Sequence, residues 1–298
     1  MAWAVLESCR LEIHALKPGN VSIHSPGHGM TAGDFLLSAK LIAPILTSPG
    51  LTVGERILRS VQATHAHVGC NTNLGIILLA APLTSAALMR PSAGGGLHQR
   101  LNCVLRGLDE RDARLAFEAI RLAQPAGLGR ADRHDVALQP TVGLLEAMVA
   151  AQARDRIAYQ YANGYEDVFL TGVPCLKAFA RRWARVDRAM EWATVACYLA
   201  FLATLPDTHI RRKFGRTAAE QVRRHAEKVE TKFKACENPN GAVPLLLNYD
   251  KTLKWEGLNP GTSADLTVAS LLALHLEFLL VDRCRGRVAE TTAPGSSP

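Results

Sequence analysis

Helical spacing restricts this chain more than any other feature. Apolar residues recur three and four positions apart along most of the sequence, and no segment alternates apolar with polar residues as a half-buried strand does. No Asn-Gly or Asp-Gly pair lies between two alternating runs, so no tight hairpin is signalled. Aromatic residues make up only 6% of the chain, while Ala and Leu are abundant, a balance that favours helix over sheet. The periodicity predicts helices over 2–16, from Thr31 to about Thr47, over 52–68 and over 76–89, followed by two short ones, the second after Asp109. Further helices are expected at about 142–160, 174–184, 187–204, 214–235 and 263–281. The expected fold is all-α: a single-domain multi-helix bundle over 1–288, with a disordered polar tail over 289–298.

The 298 residues, 48% hydrophobic and 20% charged, suffice for one large core. The net charge of +7 comes from scattered residues, densest at Arg181, Arg182, Arg185 and Arg188 and at Arg211, Arg212, Lys213 and Arg216. Such stripes attract polyanions. Nucleic acid would also need a recognisable module or a stacking platform, and neither occurs, so a phosphorylated small molecule is the expected partner. The seven cysteines are odd in number and form no Cys-x-x-Cys, as in a reduced, cytoplasmic protein without a structural zinc. The opening MAWAVLESCRLEI does not read as a signal peptide, and His275 and Glu277 interrupt the long apolar run Leu266–Val281, so no membrane association is expected. The composition is compatible with a homodimer.

Several loops share one character: Gly and small polar residues, a carboxylate, amide or imidazole, then an apolar helix. They are KPGNVSIHSPGHGMTAGDF, HAHVGCNTNLG, GLGRADRHDV, LPDTHIRRKFG and NPGTSAD. Helix N-termini offer free N–H groups and a positive dipole end, so a ligand site built from these loops would suit polyphosphate. Asp34, Asp207 and Asp265 could hold Mg²⁺ there. Thr31 with Asp34, and Thr262 with Asp265, also read as capping boxes, and Asn73 as an N-cap before Leu74. The run Gly94-Gly95-Gly96 has no Lys-Ser/Thr after it, and GLGRAD follows no strand, so neither a P-loop nor a dinucleotide fingerprint is present.

Taken in order, Lys17-Pro18-Gly19, His28-Gly29, Asp34, Asn71-Thr72-x-x-Gly75, Pro206-Asp207-Thr208-x-x-x-Arg212-x-x-Gly215 and Asn259-Pro260-Gly261-x-Ser263-Ala264-Asp265-Leu266 resemble the triphosphoribosyl-dephospho-CoA synthases over roughly 5–280. The resemblance implies an all-helical transferase that joins dephospho-CoA to C1 of the ATP ribose and releases adenine. It implies catalytic or metal carboxylates at Asp34, Asp207 and Asp265, an acid or base at His28, and phosphate cations at Lys17 and Arg212. Gly19, Asn71, Thr72, Asn259, Gly261 and Ser263 would contact the nucleotide, and Mg²⁺ would accompany ATP. Two departures stand out: Asn73-Leu74 where the family reads His-Lys, and Gly261-Thr262 where it often has Gly-Gly. With these features the chain also resembles family members grouped with tetrahydromethanopterin-linked one-carbon metabolism. That likeness would make it an enzyme of pterin or furan cofactor assembly; a non-catalytic helical cofactor-binding protein is the reading from another class.

Overall fold

The stretch LGIILLAAPLTSAAL has no polar face, so it can be stable only as a helix surrounded by others. The structure, a computed structural model that describes residues 1–90 and 95–291 and side chains as far as Val281, buries it almost completely as α4 (Leu74–Leu88). Around it lie α1 (Ala2–His14), α2 (Ala32–Leu46), α3 (Val53–Val68), α5 (Leu97–Arg106) and α6 (Glu110–Ala123). The chain continues through α7 (Leu144–Ala151), α8 (Arg156–Ala162), α9 (Val173–Arg182) and α10 (Ala189–Thr204). It ends with α11 (Thr208–Ala235), α12 (Val243–Trp255) and α13 (Gly261–Thr291). No β-strand occurs among the described residues, and the all-α expectation holds. The expected tail begins inside α13, whose helix reaches Thr291; residues 292–298 lie outside the described part.

Two apolar clusters make the core. The larger gathers α1 to α6, α8 and most of α13, and the smaller gathers α10, α11 and α12 with the residues around Leu16 and Leu258. α13 begins in the smaller cluster at Ala264 and runs into the larger from Leu266 onward. Its first 21 residues, Gly261–Val281, are long and apolar enough to cross a membrane, but 67% of the most apolar stretch is buried inside the molecule. They form a core helix packed against α1, α4 and α10.

Local chemistry sets the boundaries. Capping boxes open α2 (Thr31 with Asp34), α3 (Thr52 with Glu55) and α6 (Asp109 with Asp112). The expected helix over 142–160 is broken because Asp155 starts a new one: its Oδ1 accepts from the N–H groups of Ile157 (2.8 Å) and Ala158 (3.2 Å). The expected 205–215 connector instead begins a helix, with Asp207 as N-cap, and Gly215 at φ 86° kinks α11 where the prediction placed its start. α12 was not foreseen, although Pro244 in its first turn and buried Leu246, Tyr249 and Leu253 are a usable signal.

Candidate functional site

A cavity of about 410 Å³ opens where the loop after α1, the N-termini of α4 and α13, the α7–α8 break and the first turns of α11 meet. That volume suits a small molecule or part of a cofactor. α1 and its loop supply Glu12, Asn20 and His28, α13 and its lead-in supply Asn259, Gly261 and Asp265, and α11 supplies His209, Arg212 and Lys213. Phe117, Ile120, Leu128, Val136, Ala147 and Met148 form an apolar wall.

Behind the polar wall runs a buried network. The Lys17 ammonium donates to Glu12 and to Asn20 Oδ1 (2.8 Å), and Asn20 Nδ2 donates to Asn259 Oδ1 (2.8 Å). Burial pulls Lys17 down and pushes Glu12 up from their ordinary pKa values, each held back by the other's charge. His28, at φ 55°, donates from Nε2 to the Gly19 carbonyl (2.9 Å). A carbonyl only accepts, so the neutral ring carries its proton on Nε2 and keeps Nδ1 as an acceptor.

Two aspartates at the start of α13 behave in opposite ways. Asp207 is buried, and its Oδ2 accepts from Ser263 N and Ser263 Oγ, both at 2.8 Å. Its Oδ1 accepts from the N–H groups of His209 (2.9 Å) and Ile210 (3.2 Å). One carboxylate therefore caps two helices. Asp265 makes no hydrogen bond or ion pair among the described residues, and its remaining exposed surface faces the cavity. Burial, with the charges of Glu12 and Asp207 nearby, pushes its carboxyl well above the usual range. Gly75 is glycine for its sake: a Cβ there would collide with the Asp265 carboxylate. Burial and the neighbouring Arg212, Lys213 and His28 charges lower His209 to about 4, so its imidazole is neutral at pH 7.

The N-terminus of α4 is open. Asn71 Oδ1 accepts from Leu74 N (3.1 Å), whereas Asn73, at the N-cap position, makes no side-chain cap. The next two N–H groups, on Gly75 and Ile76, find no acceptor among the described residues, and both residues line the cavity. The Asn73 Nδ2 and Arg212 Nε atoms are likewise buried without a partner.

Of the residues singled out from sequence, His28, Asn71, Thr72, Arg212, Asn259, Gly261 and Asp265 line the cavity. The others do not, for identifiable reasons. Lys17 is fully buried and bound to Glu12 and Asn20, so its ammonium is turned away from the cavity. Gly19 sits at φ 81° against Leu253 and Pro260, where a Cβ would come within 2.8 Å, and so serves the turn. Ser263 and Asp207 are consumed by each other. Asp34 receives the Thr31 N–H (2.7 Å) and hydroxyl (2.9 Å) as the α2 cap. The Thr262–Asp265 capping box does not form, because Thr262 Oγ1 meets Thr208 Oγ1 (3.0 Å) and the His209 N–H (3.1 Å). Asp34, Asp207 and Asp265 accordingly make no metal cluster, and no group of three metal-ligating side chains exists among the described residues. Sequence reasoning missed Glu12, Asn20, Asp155, His209 and Lys213 as cavity residues. Asn20 and His209 directly follow Lys17-Pro18-Gly19 and Asp207-Thr208, so motif adjacency could have found them; Glu12 and Asp155 lie inside stretches read as continuous helix.

The all-helical body thus carries a cavity of small-molecule size, lined by Arg212 and Lys213 and by the unpaired Asp265 carboxyl. Comparison supplies the class. The chain belongs to the family of ATP:dephospho-CoA triphosphoribosyl transferases, whose pattern it matches over residues 1–283. A solved structure from Archaeoglobus fulgidus, assigned as a triphosphoribosyl-dephospho-CoA synthase, superposes with a TM-score of 0.60 at 27% identity, covering 82% of this chain and 98% of that one. No curated protein matches. The protein is thus a transferase of this family, and the resemblance read from its motifs is correct.

Proposed function

We propose that this enzyme transfers the triphosphoribosyl group of ATP to dephospho-CoA, giving 2'-(5''-triphosphoribosyl)-3'-dephospho-CoA and adenine. One observation carries the reading most: the Asp265 carboxylate, unpartnered on the cavity floor beside the open N-terminus of α4. A ribosyl centre losing its base gains positive charge at C1, and a preorganised carboxylate stabilises that charge without reorganising. The open α4 N-terminus, Arg212 and Lys213 supply the donors that a triphosphate needs.

The acceptor hydroxyl forms the new bond to C1 as the bond from C1 to adenine breaks, with its electron pair leaving on the base. His28 Nδ1, free to accept, takes the hydroxyl proton and releases it to solvent water, from which the departing adenine takes the proton it needs, so no net proton is gained or lost. His209, held neutral, can hydrogen-bond a leaving base without adding charge beside C1. Asp265 lines the cavity with neither carboxyl oxygen bonded among the described residues, so it would hold Mg²⁺ there, an ion that keeps waters and phosphate oxygens as most of its ligands. Bound with the triphosphate, Mg²⁺ would neutralise the phosphate charge. The six described cysteines are all unpaired, in keeping with a reducing, cytoplasmic setting.

Adenine release tests the reading. Purified protein is incubated with ATP, Mg²⁺ and dephospho-CoA, and free adenine is followed by chromatography. Adenine that appears only with dephospho-CoA is expected. ATP binding without adenine release would mean that the site serves another phosphorylated acceptor or another reaction.

A further inference from the structure

Arg212 lies between two carboxylates and is bonded to one. Its Nη1 donates to Asp155 Oδ2 at 2.6 Å, while Asp265, close enough to feel its charge, receives no hydrogen bond from it. The Arg212 Nε atom is buried and without a partner. All three residues line the cavity. Asp155 is itself held: its other oxygen caps α8 through Ile157 N and Ala158 N, so the side chain cannot swing without uncapping that helix. Gly127 packs closely on the Arg212 backbone: a Cβ there would lie 2.9 Å from the Arg212 carbonyl oxygen. A long guanidinium side chain that is tied at one nitrogen keeps a single orientation, and its remaining donors stay aimed.

We infer that Asp155 is a positioning residue: it anchors the Arg212 guanidinium through Nη1 so that the remaining donors meet the phosphate chain of the nucleotide. The assignment rests on the nucleotide-binding reading above and extends it to a residue that lies outside every recognised motif. It also explains why α7 and α8 are two helices: the break places the Asp155 carboxylate at the first turn of α8, opposite α11.

Charge alone makes the opposite prediction, which gives the test its edge. Asp155 is an anion beside a site for an anion, so neutralising it should tighten ATP binding if it acts only by its field. If it positions Arg212, Asp155→Asn should weaken binding by about tenfold or more, since a small misplacement of a binding group is costly. Asn caps helices as well as Asp does, so the variant is expected to fold with an unchanged Tm. ATP·Mg²⁺ affinity is measured by calorimetry, with KM and kcat for adenine release alongside. A raised Kd and KM with kcat little changed supports positioning. A lowered or unchanged Kd, or a fall in kcat alone, overturns it. Arg212→Lys, which keeps the charge and loses the planar fork, provides the second arm: Asp155→Asn should cost nothing further in that background. Equal losses in both backgrounds also overturn the assignment. Because calorimetry needs no turnover, absence of adenine release would count against the proposed reaction and leave the Asp155 result readable.

Discussion

Asp207 and Asp265 both meet the first turns of α13 and look alike in sequence, each an aspartate in a motif with small polar neighbours. Their surroundings divide them. Asp207 accepts four hydrogen bonds and joins the starts of α11 and α13; Asp265 accepts none and looks into the cavity. Burial raises both carboxyls, but the Ser263, Ile210 and His209 bonds pull Asp207 back, and nothing comparable restrains Asp265. A half-buried carboxyl without partners costs stability, so its presence on the cavity wall points to a purpose outside folding. Asp207 is bonded into the scaffold, and Asp265 is the one of the two that the proposed reaction can use.

The sharpest way to break this comparison is to exchange only the charge. Asp265→Asn should lower adenine release on the order of 100- to 1000-fold, the scale for removing one preorganised transition-state contact. Its Tm should stay level or rise, because an uncompensated carboxyl has been removed. Chromatographic rates together with a thermal melt check both halves; an unchanged rate would reduce Asp265 to a buried helix residue. Asp207→Ala should do the reverse. It leaves the Ser263, His209 and Ile210 donors without their acceptor and should destabilise the protein by roughly 3–5 kcal/mol. Denaturant unfolding measures that loss. The folded fraction should keep far more activity than Asp265→Asn does, and equal activity losses in the two variants would erase the distinction.

The same division explains what could be read from the sequence. Helix positions were legible because apolar spacing is a local signal, as in α3 and α6 with their capping boxes. α4 and α10 were legible for another reason: they are apolar on every face and can only be core. Members of most of the motifs line one cavity, yet the motifs did not sort their members. Lys17 and Ser263 carry the right chemistry for phosphate and turn it inward, toward Glu12 and Asp207. Nothing local could show this, because the partners are set by packing between distant segments. Asp155 was hidden for the same reason: its role depends on Arg212, 57 residues away. The Leu74 departure also becomes plain. That side chain packs against the core and also lines the cavity, so the position presents an apolar surface where the family has a cation.

The smallest effect is also the most direct report on the Asp265 environment. A carboxyl whose pKa is raised by folding binds its proton more tightly in the native than in the unfolded state. Stability is then full below the unfolded value and falls as pH rises through the folded one, by at most about 1.4 kcal/mol per pH unit per proton. His209 acts with the opposite sign. Its folded value near 4 lies below the ordinary 6.5, so it contributes stability at high pH that is lost as pH falls between those values. The two slopes oppose each other below pH 6.5; above it the His209 contribution is complete, and what remains of the raised carboxyls acts against the lowered Lys17 ammonium. Glu12 is also raised and adds to the carboxyl slope, so the wild type must be compared with Asp265→Asn to isolate one group. Unfolding free energies measured at successive pH values should fall more steeply for the wild type where its raised carboxyl titrates, and saturating ATP·Mg²⁺ should flatten its curve toward that of the variant, since a bound cation favours the ionised carboxylate. Parallel curves without ligand would show that Asp265 is ionised and compensated in the free protein, and the contrast with Asp207 would have to rest on activity alone.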